Sequence, residues 1–324
     1  MIVGLLGIAL GGGAIIALAA WAGLAAIGAE LRHAAWVVAP ATALMLLQLY
    51  LSAIAWRMSV GEQHPRISRY FRIRWIREAV NGMLPVAQLG GNLVAIRMLV
   101  QRGVPGPVAG AGTTLDITIE VVTQLIFTLA GFAMLATTEE GAGQPWVLWS
   151  LAIMAAGVAA FVAAQRAGLL RIVEALIRPL QRVFPGVTVD SVRGLHAELM
   201  RLHRDRRALL AAGTLHLLAW FIGVVETWIA LWAMGVPAGW EAALVIESLG
   251  MAARSAGFAV PGALGVQEVG FVVVAALFGI EADQAIALSM VKRARELVVG
   301  VAGLVMWQWT EGRRLLGARR IRSD

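Results

Sequence analysis

Two apolar segments of the chain carry polar side chains at intervals of three and four residues. These side chains are Thr113, Asp116, Glu120 and Gln124 in one segment, and Ser289, Lys292 and Glu296 in the other, with Arg293 and Arg295 beside them. Such intervals place the residues of each segment on one face of a helix. Buried carboxylates can exchange protons, and arginine binds phosphate or carboxylate through its planar fork. The pattern therefore predicts proton transfer or the binding of an ionic headgroup.

These charged groups must face the inside of a helix bundle, because a charge at the middle of a bilayer costs from about 2.5 to more than 10 kcal/mol. Loops and the C-terminal tail account for all but five of the 27 Lys and Arg residues, the exceptions being Arg97, Arg254, Lys292, Arg293 and Arg295. We predict a hydrophilic cavity and no catalytic residue. The cavity residues are Asn92, Arg97, Asp116, Glu120, Gln124, Arg254, Gln267, Glu268, Lys292, Arg293 and Glu296.

Simpler roles stay open for several of these residues and for two other polar residues, Glu226 and His216. Asp116 and Glu120 could serve only to neutralise Lys292 and Arg293, which would lock two halves of the protein together. Glu226 either lines the cavity or bonds a neighbouring helix, and we interpret His216 as a packing residue.

The helices that carry these residues are predicted to cross a membrane. Of the 324 residues, 59% are hydrophobic and the mean hydropathy is +0.77, whereas soluble domains are about 45–50% apolar. A helix of about 20 residues spans a bilayer core of roughly 30 Å. We therefore predict an all-α polytopic membrane protein with about six full spans, at 3–27, 36–56, 107–137, 145–164, 208–234 and 283–309. The first span has no positive region before it, so we expect it to be retained rather than cleaved.

Two further apolar stretches are interrupted by Pro, Gly and Asn, and we interpret each as a re-entrant helical hairpin. The first runs through Asn81 to Leu93 and enters from the cytoplasm; the second has 241–258 as its first arm and enters from the far side. Irregular backbone at membrane depth survives only inside protein or beside a water-filled cavity. The turn residues are Pro85, Gly90, Gly91, Pro261, Gly262 and Gly265.

The two hairpins also correspond at one constant offset along the chain. The shift that pairs Pro85 with Pro261 also pairs Asp116 with Lys292. We predict two inverted repeats, about 1–137 and 145–310, within a single membrane domain, a plan that recurs in transporters. Coincidence in an Ala/Gly-rich chain is the alternative.

The net charge of +7 comes from arginines concentrated in certain segments. They follow the second span and fill a basic segment at 165–207 and a basic tail at 311–324, whereas the opposite loops are acidic. The positive-inside rule then places both termini in the cytoplasm of a bacterial inner membrane, and this explains the charge better than nucleic-acid binding does. The chain has no cysteine and its five histidines are scattered, so we expect no metal and no cofactor.

The sequence also resembles a known family. The run 84–91, continuing to Arg97, Asp116 and Glu120, and the later run 261–268 are similar to the flippase-like transmembrane family, which includes the membrane half of lysylphosphatidylglycerol synthases. The resemblance covers about 40–310 and is greatest to HpnL-type proteins associated with hopanoid biosynthesis. Members often carry Gly-Glu-Xaa-Xaa-Arg in the first motif, but Asn92 replaces the acid here. Because the sequence ends at Asp324 with no aminoacyl-transfer domain, the resemblance implies translocation without lipid synthesis.

The leading hypothesis is a lipid translocase for a hopanoid or an anionic or aminoacylated phospholipid. Protons exchanged at Asp116, Glu120 or Glu296 are the expected driving force, since no nucleotide-binding motif is present. Its partners would be membrane lipids and proteins of lipid or hopanoid synthesis. The alternatives are a membrane enzyme that modifies lipid headgroups with the same carboxylates, and a scaffold that recruits synthesis enzymes through its basic cytoplasmic segment.

Overall fold

The computed structural model describes residues 24–60, 65–84, 89–139, several positions between 141 and 157, 189–257 and 260–321. Most of the predicted spans at 3–27 and 145–164 lies outside the described residues, as does Pro85 of the first predicted turn.

All regular structure within the described residues is helical, as predicted. The helices are α1 (Leu24–Ala34), α2 (Val38–Val60), α3 (Ile67–Met83), α4 (Gly90–Val100), α5 (Gly106–Leu135), α6 (Val189–Leu202), α7 (Arg206–Ala233), α8 (Trp240–Ala256), α9 (Val266–Ala276) and α10 (Ala282–Ile321). Two single 3₁₀ turns, Ala35–Val37 and Pro261–Ala263, precede α2 and α9.

Three of the described helical stretches are long and apolar enough to cross a membrane. They are Ala29–Val60, Gly106–Leu135 and Arg206–Ala233, which contain most of the predicted spans at 36–56, 107–137 and 208–234. The predicted span at 283–309 lies within α10, where four charged residues between 292 and 296 make the helix more polar.

The outside of the bundle is apolar, as a membrane protein requires. Leu210, Trp232, Val273 and Val305 each have more than half of their surface exposed, between 60% and 73%. On the same helices Glu226, Glu268, Lys292 and Arg295 lie inside, whereas Arg206 and Arg207 at the start of α7 are exposed. Since lipid cannot solvate charge, this distribution fits a multi-pass membrane location.

The helix bounds recur along the chain. Helices α3 and α8 each have 17 residues, and helices α4 and α9 each have 11. The first residues of α4 and α9 are separated by the same offset as Pro85 and Pro261, and so are the first residues of α5 and α10. We call α2–α5 the first unit and α7–α10 the second unit.

Each unit turns in the same way before its last helix. Gly103 and Gly279, which the same offset pairs, adopt φ of +89° and +68°. In both places the backbone N–H of the next residue bonds a carbonyl five residues earlier. Glycine suits this left-handed end of a helix because it has no Cβ.

Helices of one unit pack against helices of the other. Helix α3 of the first unit packs against α10 of the second, α8 packs against α5, and α2 packs against α7. Small residues allow the close approach: a Cβ on Gly303 of α10 would lie 2.6 Å from the Cβ of Ala79 on α3. The first hairpin helix of each unit, α3 or α8, therefore packs against the long helix of the opposite unit.

Candidate functional site

Two arginines and two carboxylates form the centre of what we call the α3 cluster. Arg74 and Arg77 lie one turn apart on α3, and their guanidinium groups each bridge Asp116 and Glu120 on α5. The four distances are 2.7 and 2.7 Å to Asp116 and 2.8 and 3.0 Å to Glu120. His216 Nε2, from α7, lies 3.0 Å from Asp116 Oδ1. The cluster thus joins α3, α5 and α7.

The α3 cluster corrects two expectations from the sequence. Arg74 and Arg77 were assigned to a cytoplasmic loop, but they are only 2% and 4% exposed. Asp116 and Glu120 pair with these arginines, not with Lys292 and Arg293 as the interlock alternative supposed. The positive-inside argument took every arginine after the second span as a loop residue. Arg74 and Arg77 are not loop residues, because α3 packs inside the bundle.

A second group, the lysine cluster, consists of Glu226 on α7, Glu247 on α8, and Lys292 and Arg295 on α10. Lys292 Nζ lies 2.8 Å from Glu247 Oε2 and 3.5 Å from Glu226 Oε1. Arg295 Nε lies 2.6 Å from Glu226 Oε1. All four residues are at most 6% exposed. Of the two roles considered for Glu226, the structure places it in bonding a neighbouring helix.

Neutral side chains complete the lysine cluster. Thr227 donates a hydrogen bond of 2.6 Å to Glu247, and Arg295 donates one of 3.4 Å to Gln48 on α2. The Lys292 ammonium also lies 5.8 Å from the ring centroid of Phe271 on α9. Five helices therefore meet around one lysine.

The third group, the hairpin cluster, forms where α8, α9 and α10 meet. It contains Arg254, Gln267, Glu268, Ser289, Arg293 and Glu296. Arg254 lies 2.5 Å from Glu296 and also donates to Gln267. Arg293 lies 2.9 Å from Glu268 and 3.3 Å from Glu296.

The backbone of the turn between α8 and α9 is part of the hairpin cluster. Arg293 donates to the carbonyl oxygens of Gly262 at 2.5 Å and Ala263 at 3.3 Å. Glu268 caps α9 by accepting a 2.7 Å hydrogen bond from the Gly265 N–H. Gly262 and Gly265 have φ of +61° and +79°, which favours glycine at both places. The predicted turn residues thus hold one wall of this cluster.

The hairpin cluster is more open than the lysine cluster. The side chains of Arg254 and Glu296 are each 20% exposed and that of Arg293 is 14% exposed. Gln267 and Glu268 beneath them are buried. The cluster can therefore present guanidinium groups and a carboxylate to a molecule that approaches the hairpin.

The recurrent helix bounds relate the two buried ion pairs to each other. Arg74 and Glu247 are the eighth residues of α3 and α8, and Asp116 and Lys292 are the eleventh residues of α5 and α10. Arg74 lies 2.7 Å from Asp116, and Glu247 lies 2.8 Å from Lys292. Equivalent positions thus form equivalent contacts with the charges reversed.

Three predicted cavity residues lie apart from the clusters. Arg97 is exposed and pairs with Glu311 at 3.5 Å. Asn92 is half-buried in the first turn of α4. Gln124 links the two units by donating to Ser255 and to the Met251 carbonyl of α8. The remaining predicted residues are distributed among the three clusters.

Sequence reasoning missed Arg74, Arg77 and Glu247. The spacing of three between the arginines, on a helix that continues to Met83, was the available signal for a polar face. Glu247 is the one charged residue in the apolar middle of α8, between Glu241 and Arg254, and such a position is itself a sign of a buried partner. Two cations and two carboxylates balance one another in the lysine cluster and again in the hairpin cluster. Among the described residues, no group of His, Cys, Asp or Glu is arranged to hold a metal ion.

Comparison with known proteins identifies a family that the chain matches. The model of a family described as lysylphosphatidylglycerol synthase TM region matches residues 4–303. No curated protein and no solved structure matches the chain.

Proposed function

The chain belongs to the lysylphosphatidylglycerol synthase TM-region family, and from this premise we propose that it is a lipid translocase of the bacterial inner membrane. The observation that carries the proposal is the hairpin cluster, a charged and partly open site inside a bundle whose outer surface is apolar. A lipid has the same division between an ionic head and apolar tails. The headgroup would enter the cluster while the tails remain in the bilayer.

The chemistry of the hairpin cluster suits a phosphate or carboxylate. Arg254 and Arg293 present planar guanidinium groups, which bind such anions through two parallel hydrogen bonds. Glu296 pairs with both arginines. An entering anion would replace this carboxylate, so binding exchanges one ion pair for another and leaves no arginine uncompensated.

We further propose that the two units are inverted repeats that rock against each other to give alternating access. The recurrent helix bounds and the exchanged packing of α3 with α10 and α8 with α5 support this plan. The arginine distribution supports cytoplasmic termini. Each short arm would then be a re-entrant element rather than a full crossing.

The substrate class that we propose is a hopanoid or an anionic or aminoacylated phospholipid, moved without chemical change. The resemblance to HpnL-type proteins supports the first, and the family supports the second. Membrane lipids would be the main partners, and proteins of lipid or hopanoid synthesis would be secondary ones. Recovery of a chemically altered lipid from vesicles that contain only this protein would instead indicate an enzyme.

The test is leaflet exposure of fluorescent lipid analogues in proteoliposomes, with Arg254→Gln compared with Arg97→Gln. Arg97 is a matched control because its side chain is 64% exposed and lies outside the clusters. A hydrogen bond to a charged group is worth about 1.5–3 kcal/mol, so loss of Arg254 should slow lipid movement by roughly tenfold or more. Arg97→Gln should leave the rate within about twofold of the wild type.

Equal rates in the two variants would remove the headgroup role of the hairpin cluster. If the wild-type protein moves no hopanoid, anionic phospholipid or aminoacylated phospholipid, the translocase is contradicted and the scaffold is favoured. The basic segment at 165–207 would then be the part to mutate.

A further inference from the structure

Lys292 is the only lysine in the sequence. The other 26 of the 27 basic residues are arginine, in loops and inside the bundle alike. The lysine does not lie at the surface, where the two residue types exchange most freely. It is 1% exposed, at the centre of the lysine cluster.

Lys292 is surrounded by charged groups from three helices. Glu226 faces it from α7, Glu247 from α8 and Arg295 from its own helix, while α2 and α9 contribute only the neutral Gln48 and Phe271. Although Glu247 is 2.8 Å away, Lys292 Nζ has no hydrogen bond of good geometry to any described residue. A buried ammonium with poorly aligned donors is held by charge alone.

Arginine and lysine differ in one chemical respect that matters here. Arginine keeps its proton in proteins, whereas a buried lysine can release it. Arg295 shows that a guanidinium group is accommodated in the same cluster. We propose that Lys292 carries the proton whose movement drives the conformational change of the translocase. The inference rests on the proposed function and assigns the coupling residue, a role that sequence reasoning gave to Asp116, Glu120 or Glu296.

The step balances within the cluster. When the side chain of Lys292 turns so that an N–H points at Glu247 Oε2, which lies 2.8 Å away, the proton passes from Lys292 Nζ to the carboxylate of Glu247. An N–H bond breaks, an O–H bond forms, and the ion pair becomes an amine and a carboxylic acid. Glu247 then releases the proton to water when the units rock apart. Arg295 and Glu226 keep each other neutral throughout.

The lysine cluster can act on the headgroup site because both lie on α10. Lys292 is followed directly by Arg293, and Glu296 lies one turn further on. Loss of the lysine charge frees Glu247 from its partner and loosens the contact between α8 and α10. These two helices also hold Arg254, Arg293 and Glu296 of the hairpin cluster.

The sole lysine allows a direct measurement on the full chain. Protein labelled with ¹³C,¹⁵N-lysine and reconstituted in nanodiscs should give one lysine side-chain NMR signal. Lys292→Arg should abolish that signal, and Arg97→Lys should add a second one from an exposed ammonium as an internal reference. We expect the Lys292 signal to move from the ammonium to the amine position as pH is raised over the range in which transport depends on pH. A signal that stays at the ammonium position at every pH that leaves the protein folded would overturn the proposal.

Transport by Lys292→Arg gives the second readout, which separates this proposal from the proposed function. A pH gradient should accelerate lipid movement by the wild type by up to about tenfold per unit of pH, and it should not accelerate the variant. Equal acceleration of both would overturn the role of Lys292 but leave the translocase standing. A wild type that moves no lipid while its lysine signal titrates would contradict the translocase and support a proton-carrying lysine.

Discussion

At the scale of single residues, Asp116 is the most heavily paired carboxylate described. It is fully buried and contacts Arg74, Arg77 and His216. Removing one partner of a buried ion pair costs about 3–5 kcal/mol because the other charge is left uncompensated. We therefore expect Asp116→Asn to lower the stability of the protein in detergent by about that amount, measured as a loss of monodisperse protein on heating.

Glu120→Gln is the matched control for Asp116→Asn. Glu120 bonds the same two arginines, but its side chain is 27% exposed, so water can replace its contacts. We expect a smaller loss, about 1–2 kcal/mol. Equal stability of the two variants would show that Asp116 is not the structural anchor. It would then return to the list of candidate proton carriers.

The burial of Arg74 and Arg77 shows why the sequence did not reveal the partners of Asp116 and Glu120. Spacing identified the polar faces of α5 and α10, since helical periodicity is local information. The arginine partners depend on which helices pack together, and that is not local. Arg74 and Arg97 look alike as sequence, yet one is 2% exposed and the other 64%.

At the scale of helices, α5 and α8 pack closely where Gly131 of α5 meets Ser248 of α8, because the side chain of glycine is a single hydrogen. A Cβ added to Gly131 would lie 2.8 Å from the Cβ of Ser248, closer than two such atoms approach. We expect Gly131→Ala to separate the helices and to cost about 1–3 kcal/mol, as overpacking does. The melting temperature in detergent and the rate of lipid movement should both fall.

Gly213→Ala in α7 is the control for the α5–α8 contact. An added Cβ there would lie 3.9 Å from the methyl groups of Ile119 and Thr123, an ordinary contact. Since alanine favours a helix over glycine by about 1 kcal/mol, this variant should be as stable as the wild type or more so. A loss of stability in Gly213→Ala as well would mean that close approach does not distinguish the two sites, because helix propensity favours alanine at both.

The hairpins show which helix bounds the constant offset in the sequence predicts and which it does not. The constant shift read from the sequence correctly related α4 to α9 and the start of α5 to that of α10. It missed the smaller offset between α3 and α8, because the connection between the two arms is longer in the second unit than in the first. A length difference in a turn leaves helix periodicity unchanged, so the sequence pattern of each helix could not reveal it.

At the scale of the whole molecule, the reversed ion pairs distinguish the units. Both units use the same two positions for a buried pair, but only the second has its cation on the long helix, in the form of Lys292. Two arginines hold the carboxylates of the first unit, so its charges are fixed. If Lys292 releases its proton as proposed, a molecule built from two similar units keeps one unit rigid while the other changes its charge.

The orientation of the units is tested by cysteine labelling, which the cysteine-free sequence makes simple. Pro105 and Glu281 are exposed residues at equivalent places, each directly before the long helix of its unit. If α3–α4 enters from the cytoplasm and α8–α9 from the far side, a membrane-impermeant maleimide added to spheroplasts should label Glu281→Cys and spare Pro105→Cys. Permeabilised cells should label both. Labelling of Pro105→Cys in intact spheroplasts would mean that α3 and α4 together cross the membrane. The two units would then have the same orientation. They would not be inverted repeats, and alternating access by the rocking of inverted repeats would be excluded.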